Sequence, residues 1–437
     1  MLFFYKTVYN RPTYNSMTIH KTQTTHHADI LIVGAGIAGY EAFRTLSKEL
    51  KKHKIKKTIT LIDQNNFFTF VPLLHEVASG AVEPTHASVP IRELIHNTPH
   101  TFIRARMTHI DPEEKIVSTT AGNITFETCV VATGSTTNYF NTPGAKEHTY
   151  HVRTLRDALT LQSALLSKLE SCTTCPLSIT IVGGGYTGVE LAAEFAQLVN
   201  HELRQLYPTG KASVTIIEPN QSILSILPKK VQTKVTKRLT DMHVNILTGE
   251  RVTEVTSTEL KLASGNTLPN SITIWSTGFT TDAGSFLPES CVEKGRILTN
   301  EYLQTKQHSS IYALGDVARI VDPTNPEVVY PQLGEAAHKA GEYVGTHIVR
   351  TLLGKQTKPF RFKSHATLMP IGEWYGVAIF SPRIILFGKL AWWMRRTAYV
   401  LFMPGFLRKL RIVLDWTLMS FGFRHIIDLQ IEEEHDI

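Results

Sequence analysis

Two stretches of the chain, "ILIVGAGIAGYE" (Ile30 to Glu41) and "ITIVGGGYTGVE" (Ile179 to Glu190), agree at seven of twelve positions. Each is a β-branched apolar run, then glycines spaced G-x-G-x-x-G, then a helix-like pattern. That order predicts a strand, a tight turn and a helix, twice. The first glycine (Gly34, Gly183) makes the turn and the second (Gly36, Gly185) lets a pyrophosphate approach the backbone. The third (Gly39, Gly188) lets helix and strand pack closely. Unpaired N–H groups at the helix N-terminus, helped by its dipole, then hold the phosphates.

A lone glycine motif is a weak signal, so the following strand matters. "TITLIDQ" ends near Asp63 and "SVTIIEP" near Glu218, each at a strand tip where a carboxylate accepts bonds from a ribose diol. Two complete units predict two dinucleotides on one chain, and the simplest reason is electron transfer from a nicotinamide to a flavin. No arginine follows Glu218 in "EPNQSIL", and a carboxylate there repels a 2′-phosphate, so NAD is expected rather than NADP.

"CVVATGS" (Cys129 to Ser135) and "ITIWSTGF" (Ile272 to Phe279) are apolar strands ending in Thr-Gly turns, and "IYALGDVAR" is a third strand ending in Gly315-Asp316. With the glycine turns, this order resembles the two-dinucleotide-binding flavoprotein disulfide reductase superfamily. The resemblance implies that Asp316 bonds the ribityl chain of FAD. It assigns FAD to Gly34, Gly36, Gly39, Asp63, Ala132, Thr133, Gly134, Gly315 and Asp316. It assigns NADH to Gly183, Gly185, Gly188, Glu218, Thr277 and Gly278.

"NNFFTFVPLLHEVASGAVEPTHASVPIRELI" (Asn65 to Ile95) resembles type II NADH dehydrogenases, the non-proton-pumping NADH:quinone oxidoreductases. The resemblance covers most of residues 28 to 425. It implies that Pro72, Leu73 and Leu74 lie against the isoalloxazine, and that Glu190 assists proton delivery. The alternative for Glu190 is a charge stabilising the first turn of its helix, since Glu41 repeats the position. The family usually has Ala-Gln-x-x-His-Gln near the quinone, where "PQLGEAAHKAGE" places Glu335, His338 and Lys339. Glu335 and Lys339 are four apart and are expected to form an ion pair. His365 stands where the family has lysine, and with His338 it is a candidate proton relay or a structural histidine.

The net charge of +7 suits a polyanionic partner, and basic residues collect in "KLAWWMRRTAYVLFMPGFLRKLRIVLDW". Its longest charge-free run, Thr397 to Leu407, is too short to span a bilayer. A helix from Phe406 puts Phe406, Leu410, Val413, Leu414 and Leu418 on one side, and Arg408, Arg411 and Asp415 on the other. Trp392, Trp393, Trp416 and the basic residues Lys389, Arg395, Arg396, Arg408, Lys409 and Arg411 complete an interfacial pattern for anionic lipid. Packing of this helix on the core, or on a second subunit, is the alternative.

The expected fold is α/β, with two Rossmann-like dinucleotide-binding domains and a C-terminal amphipathic membrane-associating region. The FAD domain is discontinuous (28–150 and 281–360), the NADH domain is inserted (151–280), and 361–437 follow. Residues 1–27 are expected outside the fold, with His26-His27 a solvated tail, Met17 an alternative start, and a transit peptide a weak alternative. The reading is FAD-dependent transfer from NADH to a membrane quinone by a peripheral protein, on the cytoplasmic side of the cell membrane or on an organelle inner membrane. No metal, catalytic nucleophile or nucleic-acid partner is expected, and a homodimer is open. "CTTC" (Cys172 to Cys175) is read as an inert linker and Cys129 as a small buried residue. Two other functions stand beside this one: a soluble NADH-dependent flavin reductase with a disulfide or other non-quinone acceptor, and a non-catalytic FAD/NADH-binding sensor or scaffold.

Overall fold

The computed structural model describes residues 26–171, 173–208, 210–419 and 424. Strands β1 (His26–Val33), β2 (Ile59–Asp63), β3 (Thr101–Arg104) and β4 (Gly122–Val131) form a parallel array in the order β3-β2-β1-β4. Val33 stands opposite Ile62 on one side and Val131 on the other. Helix α1 (Ile37–Lys52) connects β1 to β2, and a short helix α2 (Leu74–Ala78) follows β2. Ile30 to Val33 and Ile59 to Ile62 are continuous apolar or near-apolar runs because both faces of such a sheet are covered.

The second unit repeats the plan. Strands β5 (Leu177–Val182), β6 (Ala212–Glu218), β7 (Val244–Thr248) and β8 (Ile272–Trp275) are parallel in the order β7-β6-β5-β8. Helix α3 (Tyr186–Leu198) follows the glycine turn after β5. The chain then returns: β9 (Ile311–Ala313) pairs with β4 in parallel, Ile311 opposite Cys129. Two stretches widely separated in sequence therefore build the first sheet. Where the chain passes between the units, Thr136–Thr137 pairs antiparallel with Phe279–Thr280.

Helix α4 (Gly334–Leu352) lies on α1 with the backbones nearly touching. A Cβ at Gly341 would stand 2.4 Å from the Ala38 carbonyl oxygen, so only glycine permits this approach.

After a three-stranded antiparallel sheet within residues 367–388 come α5 (Lys389–Phe402) and α6 (Phe406–Met419). The apolar side of α6 faces outward: Phe406 is 79% exposed, and Leu410, Leu414 and Leu418 are also exposed. Its other side docks on the protein, with Ile412 and Trp416 buried. There Arg408 donates to the Ser88 carbonyl (3.0 Å) and to Glu93 (2.7 Å), and Asp415 pairs with His86. A helix held to a core by its apolar stripe would show the reverse. The sequence-based expectation needs correcting in one respect. Trp392, Trp416, Arg395 and Arg408, expected in the interfacial set, turn toward the protein, while Trp393 is exposed. Among the described residues no helix is long and apolar enough to cross a membrane.

His26 and His27 also depart from expectation. They extend β1 and pair with Ile124 and Thr125 of β4. Residues 1–25, including Met17, and Cys172 lie outside the described residues. Cys129 and Cys291 are buried free thiols, and Cys175 is not free.

Candidate functional site

The two glycine turns show why each glycine is needed. Gly34 (φ +98°) and Gly183 (φ +113°) adopt backbone angles that L side chains rarely tolerate. A Cβ on Gly39 would lie 1.9 Å from the Gly34 carbonyl oxygen, and one on Gly188 would lie 1.9 Å from that of Gly183. Gly36 and Gly185 differ, because a Cβ on either meets nothing within 4 Å. The middle glycine of each turn thus faces open space at a helix N-terminus, and a dinucleotide pyrophosphate fits both cradles.

The strand-tip acids do more than the sequence indicated. Asp63 accepts from the N–H groups of Ala35 (2.7 Å) and Asn65 (2.7 Å). Glu218 accepts from those of Gly184 (2.7 Å) and Asn220 (3.0 Å). Each carboxylate clamps its glycine turn to the neighbouring strand; Asp63 keeps lone pairs for a ribose, while Glu218 also accepts from the Asn220 side chain and keeps fewer. Burial pushes the Asp63 carboxyl up, against the N–H bonds that pull it down.

Asp316 sits in the turn after β9, where it accepts from the Ser135 hydroxyl (2.6 Å) with the Arg153 guanidinium 3.5 Å away. Thr133 and Gly134 border the same turn of β4, Gly134 with open space beyond it, whereas Ala132 is buried against Gly34. Thr277 donates to the Asn138 carbonyl (3.3 Å), and Gly278 is exposed. Leu73 and Leu74 are core residues, so within the Pro-Leu-Leu segment only Pro72 is partly exposed, next to the exposed Val71.

Glu190 is not in the first turn of its helix: α3 begins at Tyr186, and the first turn has no acid. The helix-terminus role is therefore set aside. Its side chain is 17% exposed and lies 4.0 Å from the Nδ1 of His75 on α2. Burial, with Glu76 and Glu194 nearby, pushes its carboxyl up to about 8 against the pull of Arg395. Its surroundings thus favour the neutral acid over the carboxylate.

Around it runs a buried polar network that sequence reasoning missed. Arg395 pairs with Glu76 (2.6 Å) and reaches His75 Nε2 (3.1 Å). The Trp416 indole donates to Glu76 (2.7 Å), and Arg424 pairs with Glu194 (2.9 Å). The available signal was charge inside apolar text: "HE" in "PLLHEVA", Glu194 one turn after Glu190, and "RR" in an aromatic helix. Such charges, once buried, need partners.

Of the residues expected at the quinone, Glu335 and His365 meet, while His338 and Lys339 turn to other partners. Glu335 accepts from the Ser364 hydroxyl (2.7 Å), the His365 amide (2.9 Å) and the His365 ring (2.8 Å). Lys339 pairs with Glu342 (2.9 Å), so the expected Glu335–Lys339 ion pair does not form. The carboxylate is already taken by the 364–365 segment, and Glu342 is equally near along the helix. His338 faces Glu41 (3.4 Å) and stands edge-on to Phe402 at the end of α5.

Two nucleotide cradles on one chain, with a strand returning to the first sheet, define a two-nucleotide oxidoreductase architecture. The chain belongs to the family described as pyridine nucleotide-disulphide oxidoreductase, which matches residues 28–341. It is 28% identical over 405 residues to the demethylphylloquinone reductase NdbB of Synechocystis sp., covering 90% of this chain and 96% of that one. It is 27% identical to a type II NADH:quinone oxidoreductase of Staphylococcus epidermidis, over 84% of this chain and 93% of that one. Its fold is similar to the structure of NDH2 from Plasmodium falciparum in complex with NADH (TM-score 0.82, 20% identity, 92% of this chain and 99% of that chain).

Proposed function

We propose that this protein is a type II NADH:quinone oxidoreductase that uses FAD and does not pump protons. FAD, when bound, supplies the two-electron carrier between NADH and quinone. The 34–39 turn, Asp63 and the Asp316 turn are the residues to hold FAD, and the 183–188 turn with Glu218 is the site for NADH. NADH delivers a hydride, and a quinone leaves with two electrons and two protons, so one proton must come from solvent each cycle. Glu190 is the group to hold it.

The observation behind this reading is the seam: Glu190 of the second unit lies 4.0 Å from His75, directly after the Pro-Leu-Leu segment of the first. The outward apolar side of α5 and α6, with Lys389 and Arg411 exposed beside it, supports a peripheral edge on anionic lipid, where a membrane quinone is reached. We place that edge on whichever membrane face meets the NADH pool. Cys129 and Cys291 are buried with their thiols pushed up by burial, which speaks against a dithiol acceptor route through them.

Anaerobic mixing tests both half-steps. NADH is expected to bleach the flavin absorbance promptly, and an added quinone to restore it. If every quinone tried leaves the flavin reduced, the acceptor assignment is wrong; if NADH does not bleach it, the enzyme reading is wrong.

A further inference from the structure

The network behind Glu190 has a direction, set by what a guanidinium is able to do. Arg395 has only N–H donors, and one of its nitrogens stands 3.1 Å from His75 Nε2. The Glu76 carboxylate stands 3.7 Å from the same nitrogen, outside hydrogen-bond reach, so Nε2 offers its lone pair to Arg395 and in neutral His75 the proton sits on Nδ1. Nδ1 is the atom facing Glu190, 4.0 Å from its Oε2. Arg395 is itself fixed, by Glu76 at 2.6 Å and by the Tyr399 ring beneath it. Glu76 is held in turn by the Trp416 indole. The donors run one way, from Trp416 to Glu76, and from Arg395 to Glu76 and to His75. They link α6, α5 and α2 to the acid on α3, and Glu76, Arg395 and Trp416 are all buried.

We propose that His75 is a positioning residue: locked as the Nδ1–H tautomer by Arg395, it aims a donor at Glu190 and sets the pH at which that acid releases its proton. This deepens the reading of Glu190 given above and rests on it. His75 is not itself a proton carrier. Burial and the adjacent Arg395 push its imidazole down to about 3, so the doubly protonated ring that a relay needs is excluded at neutral pH. At 4.0 Å the contact is longer than a hydrogen bond, so His75 acts through the N–H dipole it points at Glu190, which favours the carboxylate form. The other ionisable groups facing Glu190 are Glu194 on its own helix, Glu76 on α2, and Arg395 and Tyr399 on α5. Arg424 lies one step further, on Glu194. None of these is an N–H donor placed as His75 Nδ1 is.

Glutamine provides the discriminating variant, because its oxygen accepts from Arg395 while its NH₂ donates to Glu190. The experiment measures kcat against pH with NADH and a water-miscible quinone for the holoenzyme and two variants. His75→Gln is expected to keep the basic limb in place, with kcat within about twofold. His75→Leu, lacking a donor, is expected to move the limb upward by about one pH unit. An unmoved limb in His75→Leu, or equal shifts in both variants, overturns the proposal. If His75→Leu does not fold, the histidine ¹⁵N shifts of the intact protein decide. The proposal requires Nδ1–H with unprotonated Nε2 from about pH 5 to 9, and the other tautomer or the cation refutes it. Glu190→Gln separates the two levels. If it leaves the rate and limb unchanged, the reading of Glu190 itself has failed. If it removes the limb while His75→Leu does not shift it, only the role of His75 has failed.

Discussion

Glu41 and Glu190 stand at the same place in the two nucleotide units, two residues past the third glycine, yet the protein treats them in opposite ways. Glu41 accepts two bonds from Arg44 (2.6 and 2.9 Å) and one from Thr45 (3.0 Å), with His338 3.4 Å away. Glu190 makes no hydrogen bond among the described residues and is pushed up to about 8. The first glutamate is neutralised by its own helix and by α4. The second is surrounded by other acids and by one arginine already committed to Glu76. A repeated motif thus repeats the cradle but not the chemistry, which comes from whatever the rest of the chain packs against it.

The most severe way to break the comparison is to attack the part that both units share. Gly188→Ala forces a Cβ to 1.9 Å from a carbonyl oxygen and is expected to abolish folding of the second unit, whereas Gly185→Val enters open space. The latter protein should fold, retain flavin and lose most affinity for NADH, as read by thermal melts, flavin absorbance and KM.

Next in size is the exchange of the two acids. Glu190→Gln is expected to lower kcat by about 100-fold in the quinone half-reaction, a typical loss for a general acid. It also tests the linkage. Ionising Glu190 costs the fold between its ordinary value of 4.5 and about 8, so wild-type stability falls as pH rises through that window. The variant should escape that fall, by up to about 1.4 kcal/mol per pKa unit, in melts recorded across the range.

A smaller effect is expected at the outward edge. Leu410→Glu with Leu414→Glu should weaken binding to anionic vesicles by about tenfold or more, from the lost apolar burial, while turnover of a water-miscible quinone is kept. The smallest effect on rate belongs to Glu41→Gln, with kcat within about twofold. Its loss should appear in stability, by about 0.5–1.5 kcal/mol, because part-buried bonds to Arg44 and Thr45 are weakened.

What the sequence revealed and what it hid follow the same division. Glycine turns, strand-tip acids and the returning Gly-Asp strand are local steric requirements, and those at Gly39 and Gly188 admit no other residue. They could be read directly. The surroundings of Glu190 could not, because His75 and Arg395 are 320 positions apart and meet only once α5 is docked. The apolar stripe of α6 was legible, but not that Arg408 and Trp416 would fasten its other side to the protein. The Glu335–Lys339 expectation failed for a similar reason: spacing along a helix gave the pair, and a distant segment at 364–365 took the carboxylate.

The most direct test of the contrast between the twin glutamates is infrared difference spectroscopy of the oxidised holoenzyme across a pH titration. A protonated carboxyl band should persist at neutral pH, disappear with a midpoint near 8, be absent in Glu190→Gln and remain in Glu41→Gln. A band that has already gone by about pH 5, or one that survives Glu190→Gln and vanishes in Glu41→Gln, would contradict the account.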